Sequence, residues 1–404
     1  MAIDTLAADP VAQLGALVLA DAAVAQSLCE TQTASSFVER MVSIATARGI
    51  ALEGAALHSA AQSDPLGIAR WQTIPLPIPH WPPPPWLPIQ VSAANGELFV
   101  DWAYFGPAPL RQSFFEDSIR QALRQPFNRL FLYRTSLGDF MADFQSRTRE
   151  ASLAPDGFIF HMSRCGSTLV SQMLAALPDN IAISEAAPID AIVRLNQRWP
   201  SPPTAGHAQL LSAMVAAFGR RRSGAERRFF IKLDSWHALA LPLFRQAFPH
   251  VPWVFLYRDP VEVMVSQSRQ PGMQMVPGIL PPSVYGFNDA GNIPGDEYSA
   301  KVLGKVCEAA ADNQALGGGL PINYRDLPVA FWSKIMPHFG ISVGAEDRER
   351  MQQAARYDAK APQFEFANDC DNKQREASTN LRALAETYVG PAYPRLEELA
   401  ACQI

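Results

Sequence analysis

The sequence predicts an α/β protein built on a P-loop-type parallel sheet flanked by helices, preceded by a small helical region and a proline-rich adapter. Three observations predict it. From Gly157 onward, the short apolar runs FIFHM, NIAIS, RFFIKL, PWVFLYR and GLPINYR alternate with helical stretches, as strands buried on both faces and joined by crossover helices do. Residues 8–65 are rich in alanine, with apolar side chains at helical spacing. Between these regions lies IPLPIPHWPPPPWLPIQ, residues 74–90. The expected division is a helical region over 1–70, a strap and small adapter over 71–150, and the α/β domain over 151–404.

In the first region Val11, Leu14, Leu17 and Val18 form one stripe, and Phe37, Met41, Ile44 and Ala45 repeat it. Two or three short helices are expected, with Ser35 and Ser36 as N-caps of the second stripe and Gly49 closing it. The stretch from LADAAVAQSL through FVERMVSIATARGIALEGAALHSA resembles the Nif11-type helical domain found as a leader segment of modified bacterial peptides. A generic helical cap on the catalytic domain is the alternative. In the proline segment, fixed φ and missing N–H donors exclude helix and central strand, leaving an extended strap with Trp81 and Trp86 packed on a neighbouring surface. After it, ELFVDWAYF reads as a short strand pair, FFEDSIRQALRQ as a helix with Phe115, Ile119 and Leu123 on one face, and Leu137 to Arg149 as a second helix.

The formal charge of −5 offers no positive field of the kind nucleic acid or an anionic membrane selects, so neither is expected as a partner and any anion site must be local. Cys29, Cys165, Cys307, Cys370 and Cys402 form no C-x-x-C pair and have no histidine cluster at zinc-ligand spacing. No metal is expected, and a reducing, cytoplasmic setting is. Leu14 to Ala25 has the apolar character of a signal-peptide core, but Asp4 and Asp9 precede it and no Lys or Arg comes before Arg40, the wrong flank for secretion. No run reaches the ~18 apolar residues of a membrane span.

The most informative stretch is FIFHMSRCGSTLVSQMLAAL, residues 158–177. An apolar strand runs into Ser163-Arg164-Cys165-Gly166-Ser167-Thr168 and directly into an amphipathic helix, so backbone N–H groups and the helix dipole converge on an anion. Gly166 allows close approach of the backbone, Ser167 and Thr168 add hydroxyl donors, and Arg164 adds a charged fork. The full pattern G-x-x-x-x-G-K-S/T is absent, which disfavours an ordinary Mg-nucleotide hydrolase or kinase. A capped strand-to-helix turn without a ligand is the plainer alternative.

SRCGSTL resembles the 5'-phosphosulfate loop of sulfotransferases that use 3'-phosphoadenosine 5'-phosphosulfate (PAPS), in particular the tyrosylprotein and carbohydrate branch, where arginine replaces the lysine of the cytosolic aryl enzymes. WVFLYRDPVEVMVSQSRQ, residues 253–270, resembles the family's 3'-phosphate motif, which implies that Arg258 and Ser266 grip the phosphate distinguishing PAPS from ATP. Taken alone, Arg258 also reads as a strand-end arginine paired with Asp259. The resemblance implies Glu185, in NIAISEAAP, as catalytic base, against a plain acid before Pro188, with Asp190 the nearest substitute. It implies Lys232, in RFFIKLD, as the cation on the departing oxygen. INYRDL is similar to the family's Y-E-D-L segment, with Tyr324 a nucleotide contact and Arg325 where the glutamate stands. The resemblance covers residues 157–400 and implies PAPS as donor, 3',5'-bisphosphoadenosine as product, no metal, and a hydroxyl or amine of a small-molecule or peptide acceptor.

The remaining candidates stay open. Residues 358–378 read as a polar loop closing over a nucleotide, in which Lys360 and Lys373 are late phosphate contacts or, more plainly, solvated surface lysines. His161 reads as a satisfied buried histidine; with His237 it also stands near the acceptor side. Trp81, Trp86, Trp102 and Tyr104 are offered as acceptor-site aromatics. Asp234, after an apolar strand, also suits a Mg-binding carboxylate, which keeps an ATP/Mg phosphotransferase as one alternative. A non-catalytic peptide- or carrier-binding protein with a vestigial nucleotide site is the other.

Overall fold

The computed structural model describes residues 10–31, 33–61, 75–146, 152–195, 204–287, 293–356 and 369–402. They form two compact units, one drawn from Met1–Ala108, Phe115–Ser152 and Arg220–Ala225, the other from Pro109–Phe114, Leu153–Gly219 and Glu226–Ile404.

The first unit begins with helices α1 (Pro10–Ala20), α2 (Ala22–Cys29), α3 (Ala34–Ala47) and α4 (Gly54–Ala61), where two or three were expected. The extra break comes from Asp21, whose extended backbone and carboxylate, accepting from the N–H groups of Ala23 and Val24, start a new helix. Thr33, not Ser35 or Ser36, caps α3, and Ser36 is its reciprocal partner in a capping box. Gly49, at φ 71°, closes that helix as expected.

The proline segment differs from its expected form. Its end is a strand, so that β1 (Leu76–Pro77), β2 (Trp86–Ala94), β3 (Glu97–Tyr104) and β4 (Tyr133–Ser136) make a four-stranded sheet in the order β1-β4-β3-β2. The pair expected inside ELFVDWAYF is one strand, and its partner is β2. Pro88 is tolerated because β2 is an edge strand with a register shift between Pro88 and Gln90, and Asn95-Gly96, both at positive φ, turn the hairpin. The proline carbonyls find a donor in Arg220, which is 1% exposed. Its guanidinium donates to the carbonyls of Pro82 and Trp86 and lies over the rings of Trp81 and Trp102, 5.5 and 5.2 Å from their centroids. Helices α5 (Phe115–Leu123), α6 (Pro126–Leu130) and α7 (Leu137–Ser146) complete the unit. Phe115 and Ile119 are buried as expected, joined by Ala122 rather than Leu123. The expected end of the last helix, at Arg149, lies outside the described residues.

The second unit is the expected parallel sheet flanked by helices. Its strands β5 (Gly157–His161), β6 (Asn180–Ser184), β7 (Arg228–Lys232), β8 (Trp253–Tyr257) and β9 (Gly319–Asn323) lie in the order β6-β7-β5-β8-β9, every pair parallel. Every residue of β5, β8 and β9 is buried, as in a sheet covered on both faces. Edge-to-face contacts of Phe244 with Phe158 and Phe160, and of Phe160 with Trp253, fill the centre. Its helices include α8 (Ser167–Ala175), α9 (Ala187–Arg194), α10 (Ala205–Phe218), α11 (Leu241–Ala247), α12 (Pro260–Arg269), α13 (Gly295–Asp312), α14 (Ala345–Ala354) and α15 (Cys370–Glu376). Because all five strands run the same way, their carboxyl ends share one edge, where open α/β sheets bind ligands. Among the described residues, no single helix is long and apolar enough to cross a membrane.

Arg220→Met keeps the bulk over the tryptophans but leaves two buried carbonyls without their guanidinium donor. At about 1–3 kcal/mol for each unsatisfied group, the urea unfolding transition of the first unit is expected to lose at least about 2 kcal/mol; an unchanged midpoint would show that the strap does not depend on this residue.

Candidate active site

The turn after β5 is held by unusual backbone. Ser163, Arg164 and Gly166 have φ of 81°, 54° and 82°, and Glu185, after β6, has 50°. Asn95 is the one other non-glycine residue at positive φ among the described residues, so left-handed strain gathers at the predicted loop and the predicted base. Gly166 is required twice over. Its φ disfavours a side chain, and a Cβ there would come within 2.8 Å of Tyr324 and 2.9 Å of Leu327. It caps α8 with no side-chain acceptor, which leaves the helix N-terminus open to an anion.

The loop is fixed by neighbours on three sides. The Ser163 N–H donates to His161 Nδ1 at 3.0 Å, and Gln267 Nε2 donates to Ser163 Oγ at 3.0 Å. Arg164 donates to the carbonyl of Gln270 at 2.6 Å. Cys165 points away from the ligand side, its thiol donating to the carbonyl of Leu256 at 3.0 Å in the core; burial pushes this thiol up to about 12. Only its backbone serves the loop. Ser167 and Thr168 open α8, each 5% exposed.

Glu185 and Lys232 meet directly, Oε1 to Nζ at 2.5 Å, with His161 Nε2 3.4 Å from the same oxygen. Adjacent parallel strands bring them together, since the N–H of Glu185 also donates to the carbonyl of Lys232. Burial works against ionising Glu185, but the Lys232 ammonium and His161 outweigh it and hold the carboxyl well below the usual carboxylate range. Lys232 has no exposed side-chain surface, whereas Glu185 is one quarter exposed. The acid is therefore not a bystander before Pro188; Ala186 occupies the cap position of α9.

Behind this pair lies a second cluster. Asp190 accepts from Trp236 Nε1 at 2.7 Å, His237 Nε2 at 3.0 Å and Arg194 Nε at 2.7 Å. Asp234 lies within reach of His237, and burial, then the charges of Glu185 and Asp190, raise its carboxyl well above the ordinary range. Ligand atoms of Asp190, Asp234 and His237 fall within 4.8 Å of one another, but Asp190 already accepts three hydrogen bonds from protein side chains. The set suits a hydrogen-bonded support better than an oxygen-rich Mg site. Asp190 and His237 are thus committed partners of each other, not substitutes for Glu185 or acceptor contacts.

Arg258, after β8, is 4% exposed. It pairs with Glu262 at 2.6 Å and Asp369 at 2.8 Å, and its guanidinium lies 4.1 Å from the ring centroid of Tyr324. The alternative partner Asp259 instead caps α12 by accepting from Val261 and Glu262 N–H. Ser266 stands one turn beyond Glu262 on the same helix, half-buried. Tyr324, which follows β9, links the loop at Gly166 to Arg258; burial pushes its hydroxyl up to about 12. Lys373 is not a solvated lysine. It is 5% exposed and bonds the other oxygen of Asp369 at 2.7 Å, and burial, with Arg258 close by, lowers its ammonium. Lys360 lies outside the described residues. Trp81, Trp86, Trp102 and Tyr104 fill the core of the first unit, each at most 4% exposed, and so present no surface to an acceptor.

Sequence reasoning passed over two contributors, Gln267, which holds Ser163 of the loop, and Asp369, which occupies Arg258; His161 was named, but not its contact with Glu185. The charge and strand position of His161 were visible, but its partner across the sheet was not.

Glu185 carries a pH prediction. Its folded pKa lies below its unfolded one, so the stability it contributes is complete above the ordinary carboxylate value of about 4.3 and is lost only as pH falls towards the folded pKa. Glu185→Gln leaves the buried Lys232 unpaired, and a loss of about 3 kcal/mol at pH 7 is expected. The gap between the two proteins should hold from pH 7 to about 5 and narrow below that; a gap that widens on acidification would show that the pair is not ionised.

No curated protein matches the sequence. Among solved structures, the sulfotransferase from Alicyclobacillus acidocaldarius is 14% identical over 62% of this chain and 96% of its own, with a TM-score of 0.38. The sulfotransferase domain of the Synechococcus PCC 7002 olefin synthase is 17% identical over 60% of this chain and 97% of its own, at 0.37. The sulfotransferase domain from the curacin biosynthetic pathway is 14% identical over 62% and 98%, also at 0.37. The segment carrying the loop, Glu185, Lys232 and Arg258, residues 155–275, matches the model of the sulfotransferase family.

Proposed function

We propose that the protein is a PAPS-dependent sulfotransferase acting on a hydroxyl or amine of a small-molecule or peptide acceptor. The observation that carries this reading is the Glu185–Lys232 pair, 2.5 Å apart, set beside a strained anion-binding turn within a segment that matches the sulfotransferase family. PAPS supplies the activated sulfuryl group. Backbone N–H groups of 163–168 and the hydroxyls of Ser167 and Thr168 suit its 5' end, at a helix N-terminus that no side chain caps.

As it stands, Glu185 is a poor base, because an ammonium neutralises it. Negative charge developing on the oxygen between sulfur and the 5'-phosphate as the S–O bond breaks would draw Lys232 away, and Glu185 would then be basic enough to take the acceptor proton. The acceptor oxygen or nitrogen bonds to sulfur in line with the departing phosphate oxygen, which keeps the electron pair of the broken S–O bond, and Lys232 and Arg164 steady that charge.

Arg258, Ser266, Lys373 and Tyr324 form the second phosphate pocket. Arg258 and Lys373 carry two positive charges against the two carboxylates of Glu262 and Asp369, so a 3'-phosphate enters by replacing Asp369, the more exposed of the two. An ATP/Mg phosphotransferase is favoured by the Asp190, Asp234 and His237 grouping alone.

Calorimetric titration in metal-free buffer tests the donor. Micromolar binding of 3',5'-bisphosphoadenosine, lost in Arg258→Ala and absent for 5'-AMP, is expected; equal binding of 5'-AMP, or binding only of ATP with Mg, would overturn the assignment. Asp369→Asn removes the competing carboxylate and is expected to tighten bisphosphoadenosine binding by about tenfold without creating affinity for 5'-AMP. Weaker binding in that variant would mean that Asp369 supports the pocket instead of filling it.

A further inference from the structure

We propose that His161 is a positioning residue that ties the turn at 163–168 to Glu185, its Nδ1 holding the Ser163 N–H and its Nε2 proton facing the Glu185 carboxylate. The inference rests on the sulfotransferase reading and adds to it the group that sets the proposed base against the proposed donor turn. Strand geometry brings the imidazole to this place. Ile159 is the register partner of Lys232, and Lys232 that of Ser184. Side chains alternate along a strand, so His161 projects from the same face as Ile159 and Lys232, two residues nearer the carboxyl edge. By the same alternation Glu185 belongs on the opposite face from Ser184, and its φ of 50° turns the carboxylate back to Lys232 Nζ and His161 Nε2.

One ring thereby meets two strained residues. The non-glycine residues at positive φ among the described residues are Asn95, Ser163, Arg164 and Glu185, and His161 touches both Ser163, at 3.0 Å, and Glu185, at 3.4 Å. Backbone in the left-handed region persists where its surroundings over-determine it, and a rigid ring that is 5% exposed gives both residues the same fixed point. The contacts also set the tautomer. A ring nitrogen that accepts from an N–H carries no proton, so the proton of this imidazole sits on Nε2, towards Glu185 Oε1. The same oxygen meets Lys232 Nζ at 2.5 Å. Were Lys232 drawn to the departing phosphate oxygen, the Nε2 proton would remain on the carboxylate and keep it aimed while it takes the acceptor proton.

The test is nitrogen NMR on the full chain with labelled histidine. In the wild type the His161 ring, identified among seven histidines by the loss of its signals on substitution, is expected to be the Nε2–H tautomer; an Nδ1–H ring would overturn the proposal before any variant is compared. Two substitutions then divide the ring. His161→Asn keeps an acceptor near the place of Nδ1 and drops the contact with Glu185, whereas His161→Gln keeps a donor near the place of Nε2 and drops the contact with Ser163. With folding checked by near-ultraviolet circular dichroism, the Ser163 amide resonance is expected to hold in His161→Asn and move in His161→Gln, and the Glu185 amide to do the reverse. Bisphosphoadenosine affinity is expected to fall about fivefold in His161→Gln, the size of one hydrogen bond, and to stay within about twofold in His161→Asn. Both amides moving alike in both variants, with equal affinities, would make His161 a space-filling residue and overturn its positioning role. Failure of the wild type to bind bisphosphoadenosine would overturn the donor reading instead, and the tautomer and amide signals would still decide the role of His161.

Discussion

A sheet whose five strands all run the same way delivers its five carboxyl ends to one edge, and the chemistry of this protein is assembled from the residues placed at those ends. Ser163–Thr168 follow β5, Glu185 follows β6, Lys232 ends β7, Arg258 follows β8 and Tyr324 follows β9. The order β6-β7-β5-β8-β9 puts the turn at 163–168 in the centre, with the Glu185–Lys232 pair on one side and the Arg258–Tyr324 pair on the other. A nucleotide carrying phosphates at both ends suits a turn flanked in this way. Parallel pairing also fixes the close contact of the two reacting side chains, since the hydrogen bond from Glu185 to the Lys232 carbonyl belongs to the same ladder that aligns β6 with β7.

The site is close to neutral as it stands, and this governs its behaviour. Three of the four cations proposed to meet the donor already hold a carboxylate, Lys232 holding Glu185 and Arg258 and Lys373 sharing Asp369, while Arg164 donates to the carbonyl of Gln270. An uncompensated buried charge is costly, so these pairs stabilise the free protein, and the proposed donor would have to exchange them for its phosphate or sulfuryl oxygens. On the proposed reading, the exchange at Lys232 would also turn Glu185 from a neutralised partner into a base. Asp190, bonded to Trp236 and His237, sits behind the pair, and burial together with the charges of Glu185 and Asp190 raises the Asp234 carboxyl beside it.

Much of this was legible in the sequence because the signals are local. The apolar run before Ser163, the small residues through Thr168 and the amphipathic helix after them each reflect backbone needs, and φ at Ser163, Arg164 and Gly166 bears those needs out. Glu185, Lys232 and Arg258 could be named because each stands at a strand end. The parts that stayed hidden depended on partners far along the chain. Asp369 lies 111 residues from Arg258, and nothing around it signals that contact. Lys373 read as a surface residue because its neighbours are polar, yet α15 buries it. The dense prolines hid strand β2, although Asn95-Gly96 announced its hairpin, and the tryptophans beside them proved to be core because Arg220 and Phe140 cover them.

Whether these five strand ends form one nucleotide site is tested most directly by a crystal structure of the protein with 3',5'-bisphosphoadenosine. The 5'-phosphate is expected on the backbone of 163–168, with the 3'-phosphate on Arg258 and Asp369 released from it. A nucleotide bound elsewhere, or bound with the Arg258–Asp369 pair intact and the 3'-phosphate in solvent, would contradict a single site of this kind.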